Sequence, residues 1–579
     1  MVANRSRAQL ALIVLLLLCQ FYLRTHNPLE LPAFVDEHYH IGRAEIVYNF
    51  DRNPVQFSNG KLLFYYWLGL FFIGGDSALV TGRLAVAVFS LFNGALVAAI
   101  ARALFGSRAT LPALAVYVFV PWAVFFERMA LADPFAAGLA AITLWQSIRL
   151  ARMSRPTAAR GAFVGLLVAL TLFAKLTTTL FITIPAATAL LLSDIRPAGM
   201  SRAAFERWGR ALWARYGRAW CAGAMATAAL WAVYITAMVL SAWLGQRPKF
   251  FTSSLVDPTP NSLNLLDNLI MTIEAAKALI SIPMALLLAV LAVAAIRWRV
   301  RAGLLVVYWL AALWLPIVVF GAPIQTRYLM VGLPAIAVMA GGGVAALEHA
   351  VARYDTAHPA LRSGVYWRWA ALALAWMVIG AWAVAFALPF SWRASTNAAR
   401  LDLSDEDTFT YISGPFNGSG SRESLAYLRQ WGRRVDGRIP AVGVLLHCGS
   451  IQLHVTDEFE WTCFDARNTP GRAQILADVR RWTPLMRAVR TWPFVYLITD
   501  IGENVPMRDY PLEWNLVFMS ARPQGGKIVS VWRVSNQYIE IEEEAPNLSR
   551  TQAGGEASTV EGIARVPVAP GAAGGVRAY

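Results

Sequence analysis

Long apolar segments separated by short polar ones dominate this chain. Candidate membrane spans lie at residues 8–24, 78–101, 110–126, 134–150, 161–174, 176–192, 220–243, 278–296, 302–320, 328–347 and 369–390. A hydrocarbon core about 30 Å thick needs about 20 apolar residues per helix. Hydrophobic residues fill 57% of the 579 positions and charged residues 15%, against about 25% charged in soluble proteins. The pattern predicts a polytopic α-helical membrane protein with about eleven spans.

The arginines between these segments predict the orientation of the chain. They cluster after the second, fourth, sixth, eighth and tenth predicted spans. Cytoplasmic loops carry an excess of Arg and Lys. The N-terminus is then cytoplasmic, and everything after residue 390 is periplasmic or extracellular, outside the cell's inner (plasma) membrane. The same distribution accounts for the net charge of +15 without a nucleic-acid partner.

The segment 161–192 can be interpreted in two ways. Two short helices would meet near Lys175 on the outer side, or one long tilted helix would cross once and leave the following arginine-rich loop outside. The arginine pattern favours two crossings. Lys175 itself interrupts an apolar segment, and a lysine buried there without a partner is costly.

Two polar loops are predicted on the outer face. The loop 31–77 contains a surface helix from Glu37 to Phe50 and then an aromatic run at 60–67 suited to the headgroup interface. The loop 245–277 is rich in Pro, Ser and Asn. We expect it to be mobile and able to close over a substrate.

The composition changes to that of a soluble α/β domain over residues 391–540. Helices are predicted at 421–432 and 474–490, and strands at 441–446, 494–498 and 527–534. Residues 541–579, rich in Gly, Ala, Pro and Ser, are predicted to be a disordered tail. The domain organisation is therefore a membrane part (1–390), an exterior domain and a tail.

Cysteine and glycine positions add two smaller predictions. Cys448 and Cys463 fall in the exterior domain, where an oxidising compartment permits a disulfide, and paired and free thiols both remain open. His447 and His454 near Cys448 do not have the pattern of a zinc site. The glycines at 341–343 indicate close helix packing rather than a phosphate-binding loop.

Carboxylates near the predicted outer face are the candidates for chemistry. Asp36 and Glu37 follow the first span, and Asp133 follows the third. Each aspartate has a structural alternative: Asp36 is positioned to cap a helix beginning at Glu37, and Asp133 precedes Pro134 as an N-cap residue would.

A divalent metal is a possible cofactor on residue types alone. Asp36, His38 and Asp133 are its weak candidates as ligands. Alternate positions on a helix do not face one another, so the spacing around His38 is not diagnostic.

These residues, with several short motifs, resemble the membrane-embedded glycosyltransferases of the GT-C fold, in particular bacterial relatives of protein O-mannosyltransferases and of the lipid A aminoarabinose transferase. The resemblance covers roughly 30–350. The fragments that carry it are Asp36-Glu37, Gly60-Lys61, Gly82-Arg83-Leu84, Leu104-Phe105-Gly106, Arg128-Met129-Ala130-Leu131-Ala132-Asp133, Ala174-Lys175-Leu176-Thr177 and Arg327-Tyr328-Leu329. Relatives commonly have proline after the Gly-Lys pair, where this chain has Leu62-Leu63.

The resemblance implies inverting transfer of a sugar from a polyprenyl-phosphate donor to an acceptor hydroxyl or phosphate at the outer face. Asp36 is the expected general base, with Glu37 and Asp133 as further catalytic candidates. The expected donor-phosphate ligands are Lys61, Arg128, Lys175, Arg327 and Tyr328. The acceptor is a lipid, a glycan or a protein.

A transporter or flippase of a lipid-linked sugar is the alternative. It would use the same cations without a base. Charges concentrated in exterior loops, and the lack of a recognisable inverted repeat in the sequence, favour the enzyme.

Overall fold

The apolar segments fold as helices in the computed structural model of the chain. The structure describes residues 2–535 except 51, 58–59, 72–76, 198, 200, 246–264, 322–323, 358–361, 466–473 and 502–511. The predicted tail at 541–579 lies outside the described residues.

Sixteen helices make up the N-terminal part of the described chain. They are α1 (Val2–Thr25), α2 (Val35–Asn49), α3 (Leu62–Gly69), α4 (Ala78–Phe105), α5 (Thr110–Phe119), α6 (Pro121–Phe126), α7 (Ala132–Ala151), α8 (Ala158–Ala174), α9 (Ile184–Leu192), α10 (Arg202–Trp243), α11 (Leu265–Leu279), α12 (Ile282–Trp298), α13 (Val300–Phe320), α14 (Leu333–Ala357), α15 (Arg362–Trp382) and α16 (Leu388–Thr396). A π-helical turn (Ala383–Ala387) joins α15 to α16, and 3₁₀ turns precede α9 and α14.

Six helices of the described chain are long and apolar enough to cross a membrane, which makes the protein polytopic. They are α1, α4, α10, α13, α14 with its preceding turn, and α15 continued through α16. A seventh span is available if α11 and α12, which meet at 106°, count as one. The remaining predicted spans are shorter, polar or broken, so the total of eleven stays a prediction.

The segment around Lys175 is broken, as the interpretation with two helices expected. Helix α8 ends at Ala174, Lys175 takes an extended conformation, and a 3₁₀ turn (Leu176–Thr183) leads into α9. One continuous helix through this segment is therefore wrong. The break presents the Lys175 side chain at the end of α8.

Glycines let several helices approach closely. A Cβ atom on Gly161 or Gly165 of α8 would collide with the backbone of α10, and Thr227 of α10 donates to the Gly165 carbonyl at 2.8 Å. The predicted close packing at 341–343 is confirmed, because a Cβ on Gly342 would lie 2.8 Å from the ring of Phe105. Small residues thus replace side-chain interdigitation at these crossings.

Two predicted boundaries need correction. The second half of the predicted mobile loop 245–277 is helix α11, whose Asn268 donates to the carbonyls of Val318 and Gly321 at 3.0 and 2.9 Å and so ties it to the end of α13. The last helix does not stop at 390 but continues to Thr396. The elements of the C-terminal sheet domain follow this helix in the chain.

The C-terminal domain, for which the sequence predicts an exterior position, is a five-stranded mixed sheet with helices on both faces. Its elements are α17 (Asp405–Thr408), α18 (Ser421–Trp431), β1 (Ile439–Leu445), α19 (Gly449–Gln452), β2 (Phe459–Asp465), α20 (Gln474–Thr491), β3 (Phe494–Thr499), β4 (Glu513–Ala521) and β5 (Ile528–Ser535). The strand order is β2-β1-β3-β5-β4. Strand β1 pairs in parallel with β2 and β3, and β5 pairs antiparallel with β3 and β4.

The two strands that the sequence pattern missed are the edges of this sheet. Strands β2 and β4 carry polar residues and are only partly buried, whereas β1 is buried along its whole length. Edge strands bury less surface, so their pattern is weaker. Of the two alternatives for the exterior cysteines, the structure has the disulfide: Cys448 after β1 is joined to Cys463 of β2.

The sheet domain packs directly on α2, within one compact unit that extends from residue 1 to 536. The Val35 amide donates to the Phe416 carbonyl at 2.8 Å, and the Gly418 amide to the Ala33 carbonyl at 2.9 Å. Helix α2 therefore lies between the membrane helices and the exterior domain, with a face toward each.

Candidate active site

Glu37 anchors helix α2. Its carboxylate accepts hydrogen bonds from the Phe34 amide at 2.9 Å, from the Ala130 amide at 2.8 Å and from Arg83 at 2.6 and 2.8 Å. Arg83 also donates to backbone carbonyls just before α2, among them that of Leu31 at 2.6 Å. Glu37 is fully buried, so this arrangement leaves it no free oxygen for an acceptor. These hydrogen bonds fix the orientation of α2 and therefore the position of Asp36, the preceding residue.

Asp36 is the neighbour that Glu37 orients. Helix α2 begins at Val35, so Asp36 does not cap a helix starting at Glu37, and that alternative is wrong. Its carboxylate forms an ion pair of 2.7 Å with Arg327, and 27% of the Asp36 side chain is exposed against 7% of Arg327. Burial favours the neutral acid, but the positive charges of Arg327 and Lys61 outweigh it and hold the pKa of Asp36 well below its usual range.

A second, buried ion pair joins Asp133 to Lys175. Helix α7 begins at Ala132 with Leu131 as its N-cap residue, so the capping alternative for Asp133 is also wrong. The Lys175 ammonium lies 4.0 Å from the ring centroid of Tyr328, and the Arg327 guanidinium lies 5.1 Å from the same ring. Tyr328 thus stands between the two cations.

Lys61 is the third cation of the cluster. Its ammonium lies 3.1 Å from Nε2 of His40, whose Nδ1 lies 2.8 Å from the Ala130 carbonyl. That carbonyl can only accept, so Nδ1 carries the proton and Nε2 accepts from Lys61. Burial is the main cause that lowers the pKa of Lys61 to about 8. Gly60 precedes it with φ +69°, where a Cβ would lie 2.6 Å from the Leu176 side chain.

The charges of this cluster do not cancel. Lys61 interacts electrostatically with both carboxylates and both other cations, which places all five groups together. Three cations (Lys61, Lys175 and Arg327) face two carboxylates (Asp36 and Asp133), so the cluster carries one excess positive charge. A site with excess positive charge favours the binding of an anion that contacts several of these cations at once.

Arg128 is not brought into the cluster. Its guanidinium donates to the carbonyls of Leu23, His26 and Asn27 at 2.8–2.9 Å and so holds the end of α1. His38 also lies apart, with its ring facing the exterior-domain residue Gly449.

The candidate metal ligands do not fit a metal site. Among the described residues, no three His, Cys, Asp or Glu side chains converge as a metal would require. Asp36 and Asp133 each have a cationic partner from the chain itself, Arg327 and Lys175 respectively.

Four buried polar atoms around Arg327 have no hydrogen-bond partner in the described part of the chain. They are Oε1 of Gln325, Nε of Arg327, Oδ2 of Asp407 and Oη of Tyr411. Burial raises the pKa of Asp407 to about 7. The sequence pattern missed Asp407 and Tyr411, because an acidic residue in a short helix of a polar domain looks like a solvated one.

An apolar groove of about 610 Å³ lies between α8, the 3₁₀ turn after it, α9 and α10. Its lining includes Val164, Val168 and Leu172 of α8, together with Leu176 and Thr179 of the turn. Leu176, one of these lining residues, directly follows Lys175 of the cluster in the chain.

Comparison with known proteins finds likeness in structure only. No protein-family model and no curated protein sequence matches the chain. Among solved structures, ArnT from Cupriavidus metallidurans bound to undecaprenyl phosphate aligns with 92% of this chain and 98% of its own, at a TM-score of 0.54 and 14% identity.

Two further structures align with lower scores. The Archaeoglobus fulgidus oligosaccharyltransferase tethered to an acceptor peptide covers 85% of this chain and 69% of its own, at a TM-score of 0.47 and 14% identity. The mycobacterial arabinofuranosyltransferase AftD aligns with 92% of this chain and 40% of its own, also at a TM-score of 0.47 and 14% identity. The likeness to ArnT extends over nearly the full length of both chains, and it confirms the predicted architecture: this chain has the GT-C fold of membrane-embedded glycosyltransferases.

Proposed function

We propose that the protein is a membrane glycosyltransferase. It transfers a sugar from a polyprenyl-phosphate donor to an acceptor hydroxyl or phosphate at the outer face of the membrane, with inversion at the anomeric carbon. The observation that carries the proposal is the cluster of Asp36, Asp133, Lys61, Lys175 and Arg327, with its excess positive charge beside an apolar groove.

The cations suit a phosphate leaving group. As the bond between the anomeric carbon and the phosphate oxygen breaks, its electron pair moves onto that oxygen, and preorganised cations stabilise the new charge. Lys175 and Arg327 flank Tyr328 and lie within reach of one phosphate group, and Lys61 adds a third donor.

Asp36 then takes the proton of an acceptor hydroxyl. The acceptor oxygen attacks the anomeric carbon from the side opposite the phosphate, and its proton passes to the Asp36 carboxylate. A carboxylate held by Arg327 is a weak base because its pKa is low. Donor phosphate competes for Arg327, and the loss of that partner raises the basicity of Asp36 when the donor is bound.

The donor's polyprenyl chain fits the apolar groove between α8 and α10. Apolar burial there needs no polar partner, and the end at Leu176 brings a lipid phosphate next to Lys175. The ArnT structure of the same fold was obtained with undecaprenyl phosphate, which supports a lipid phosphate as ligand.

Replacement of Asp36 by Asn tests the assignment. Purified protein in nanodiscs is incubated with radiolabelled polyprenyl-phosphate sugars of several kinds and a membrane extract as the acceptor source. Loss of a general base predicts transfer at least ~100-fold slower. Binding of undecaprenyl phosphate should be retained or strengthened, because Arg327 loses its competing carboxylate.

Glu45→Gln is the matched control, since Glu45 is an exposed carboxylate on the same helix. It should leave transfer unchanged. Full transfer activity in Asp36→Asn would refute the general base. If the wild type, reconstituted in sealed proteoliposomes, moves the labelled lipid across the bilayer with its sugar bond intact and forms no product, the protein is a transporter of lipid-linked sugars instead.

A further inference from the structure

The parallel strands of the exterior sheet end next to helix α2, which carries Asp36. The chain passes from β1 to β2 on one side and then returns to β3 on the other side of β1. Such a reversal leaves a crevice at the carboxyl ends of the two diverging strands, where open α/β sheets bind ligands. In this protein those ends are followed by Leu446 and His447 after β1 and by Asp500 after β3.

Of the residues that follow the carboxyl ends of β1 and β3, His447 is the one that lies near helix α2. Its ring centroid lies 4.5 Å from that of Phe416, whose carbonyl accepts the Val35 amide at the start of α2. The negative charge of Asp36 is close enough to act on the pKa of His447, although it is a smaller influence than burial. It is 7% exposed, and its Nδ1 has no hydrogen-bond partner in the part of the chain that the structure describes.

The other charges of this edge cancel each other. The Asp500 carboxylate accepts the Leu446 amide at 2.9 Å and pairs with Arg522 at 2.8 Å, and both side chains are 1% exposed. Burial is the main cause that lowers the pKa of His447, so its imidazole is neutral at neutral pH. The groups at the carboxyl ends of β1 and β3 are therefore polar and carry no net charge. The cluster around Arg327, by contrast, carries one excess positive charge.

The loop that carries His447 is held firmly in place. Cys448, the next residue, is bonded to Cys463 of the edge strand β2. A Cβ on Gly449 would lie 3.1 Å from the side chains of both Val35 and His38, so the loop lies against α2 at close range. A rigid backbone on both sides of His447 suits a residue that orients a ligand.

We propose that His447 positions the acceptor against Asp36 by a hydrogen bond to it, and that the attacking group is the hydroxyl of an uncharged acceptor such as a glycan. This inference rests on the proposed function. A neutral imidazole both donates to and accepts from hydroxyl groups. The Asp500 carboxylate offsets the charge of Arg522, so this pair adds no net positive charge that would attract a phosphate acceptor.

The test compares donor and acceptor probes on the full-length protein in nanodiscs. Undecaprenyl phosphate is the donor probe. Methyl glycosides, and the same sugars with a 6-phosphate, are the acceptor probes, measured by saturation-transfer NMR. His447→Ala should weaken glycoside binding about 10-fold, the cost of one hydrogen bond to a ligand. Undecaprenyl phosphate affinity should change less than about twofold, and His447→Gln should restore part of the glycoside affinity.

His26→Ala is the histidine control, because the His26 ring stacks on Tyr22 instead. Three results would overturn the inference: no glycoside binding by the wild type, glycoside binding unaffected by His447→Ala, or tighter His447-dependent binding of the phosphorylated sugars. A parallel loss of both probes would also overturn it, since the residue would then be structural. Failure of the wild type to bind undecaprenyl phosphate would count against the proposed function and not against the role of His447.

Discussion

At the residue scale, two buried ion pairs of the described chain are also bonded to the backbone. Glu127 accepts from Arg24 at 2.9 Å and from the Tyr117 hydroxyl at 2.6 Å, and Arg24 also donates to the Val118 carbonyl. The Glu37–Arg83 pair has the same character. Removing one partner of such a pair typically costs about 3–5 kcal/mol, because the other charge is left buried. The Asp36–Arg327 pair differs in that the Asp36 side chain is partly exposed and can exchange its partner.

Asp407 gives a prediction about pH and stability. Its pKa of about 7 in the folded protein lies above the ordinary value of 3.8. Stability from the buried neutral acid is fully present below about pH 4 and is lost as pH rises to about 7. Asparagine cannot ionise, so the apparent Tm of Asp407→Asn relative to wild type should rise by several degrees between about pH 5 and pH 8. Thermal denaturation across that pH range measures it.

Asp405→Asn is the control for this titration, since Asp405 is an exposed carboxylate on the same short helix. Its Tm difference from wild type should not depend on pH. A constant difference for Asp407→Asn as well would show that Asp407 does not titrate in this range.

At the scale of single elements, the carboxylates of the cluster lie in the regular helices α2 and α7, whereas two of its cations and the proposed acceptor residue lie in short irregular segments. Lys175 lies at a break between α8 and α9, Arg327 and Tyr328 lie in the 3₁₀ turn before α14, and His447 lies in the loop after β1. Non-helical backbone within a membrane part is tolerated where protein surrounds it. The described helices around these breaks bury most of them.

The disulfide of the exterior domain should stabilise the loop after β1. It closes a loop with a sequence separation of 15, for which the chain-entropy relation gives about 3 kcal/mol. The double replacement Cys448→Ser/Cys463→Ser should therefore speed limited proteolysis of the exterior domain and lower its Tm.

Cys221→Ser is the matched control, because Cys221 is a free, exposed cysteine of α10. It should change neither quantity. Equal protease resistance with and without the bridge would mean that packing against α2 holds the loop by itself.

At the scale of the whole molecule, the GT-C fold unites a polytopic helical part and a mixed sheet through α2. The predicted orientation follows from the arginine-rich loops, such as the stretch leading into α10. Because α2 touches the sheet domain on one side and Arg327 on the other, we expect the cluster and the sheet domain on the same face of the membrane.

Cysteine labelling measures this orientation. A cysteine at Lys527, in the exposed turn between β4 and β5, should react with a membrane-impermeant maleimide in intact spheroplasts. A cysteine at Arg207, exposed near the start of α10, should react only after the membrane is permeabilised. Both are made in the Cys221→Ser background. The reverse pattern would invert the topology.

Local sequence features by themselves determined the membrane class, the main long helices and the central strands, because hydrophobic periodicity and span length depend on neighbours in the chain. The resemblance to GT-C glycosyltransferases added Asp36, Asp133, Lys61, Lys175 and Arg327 as candidate site residues, so every member of the cluster was expected individually.

Only the tertiary structure decided which candidates meet. Partners such as Asp36 and Arg327 are far apart in the chain, and no local pattern distinguishes Glu37, locked by Arg83, from its neighbour Asp36. In the tertiary structure, Arg128 donates to carbonyls at the end of α1 and not to the cluster. Asp407 and His447 of the exterior domain lie beside the site. The physical reason is that burial, charge pairing and edge-strand register arise from contacts between elements, which the order of residues within one element does not specify.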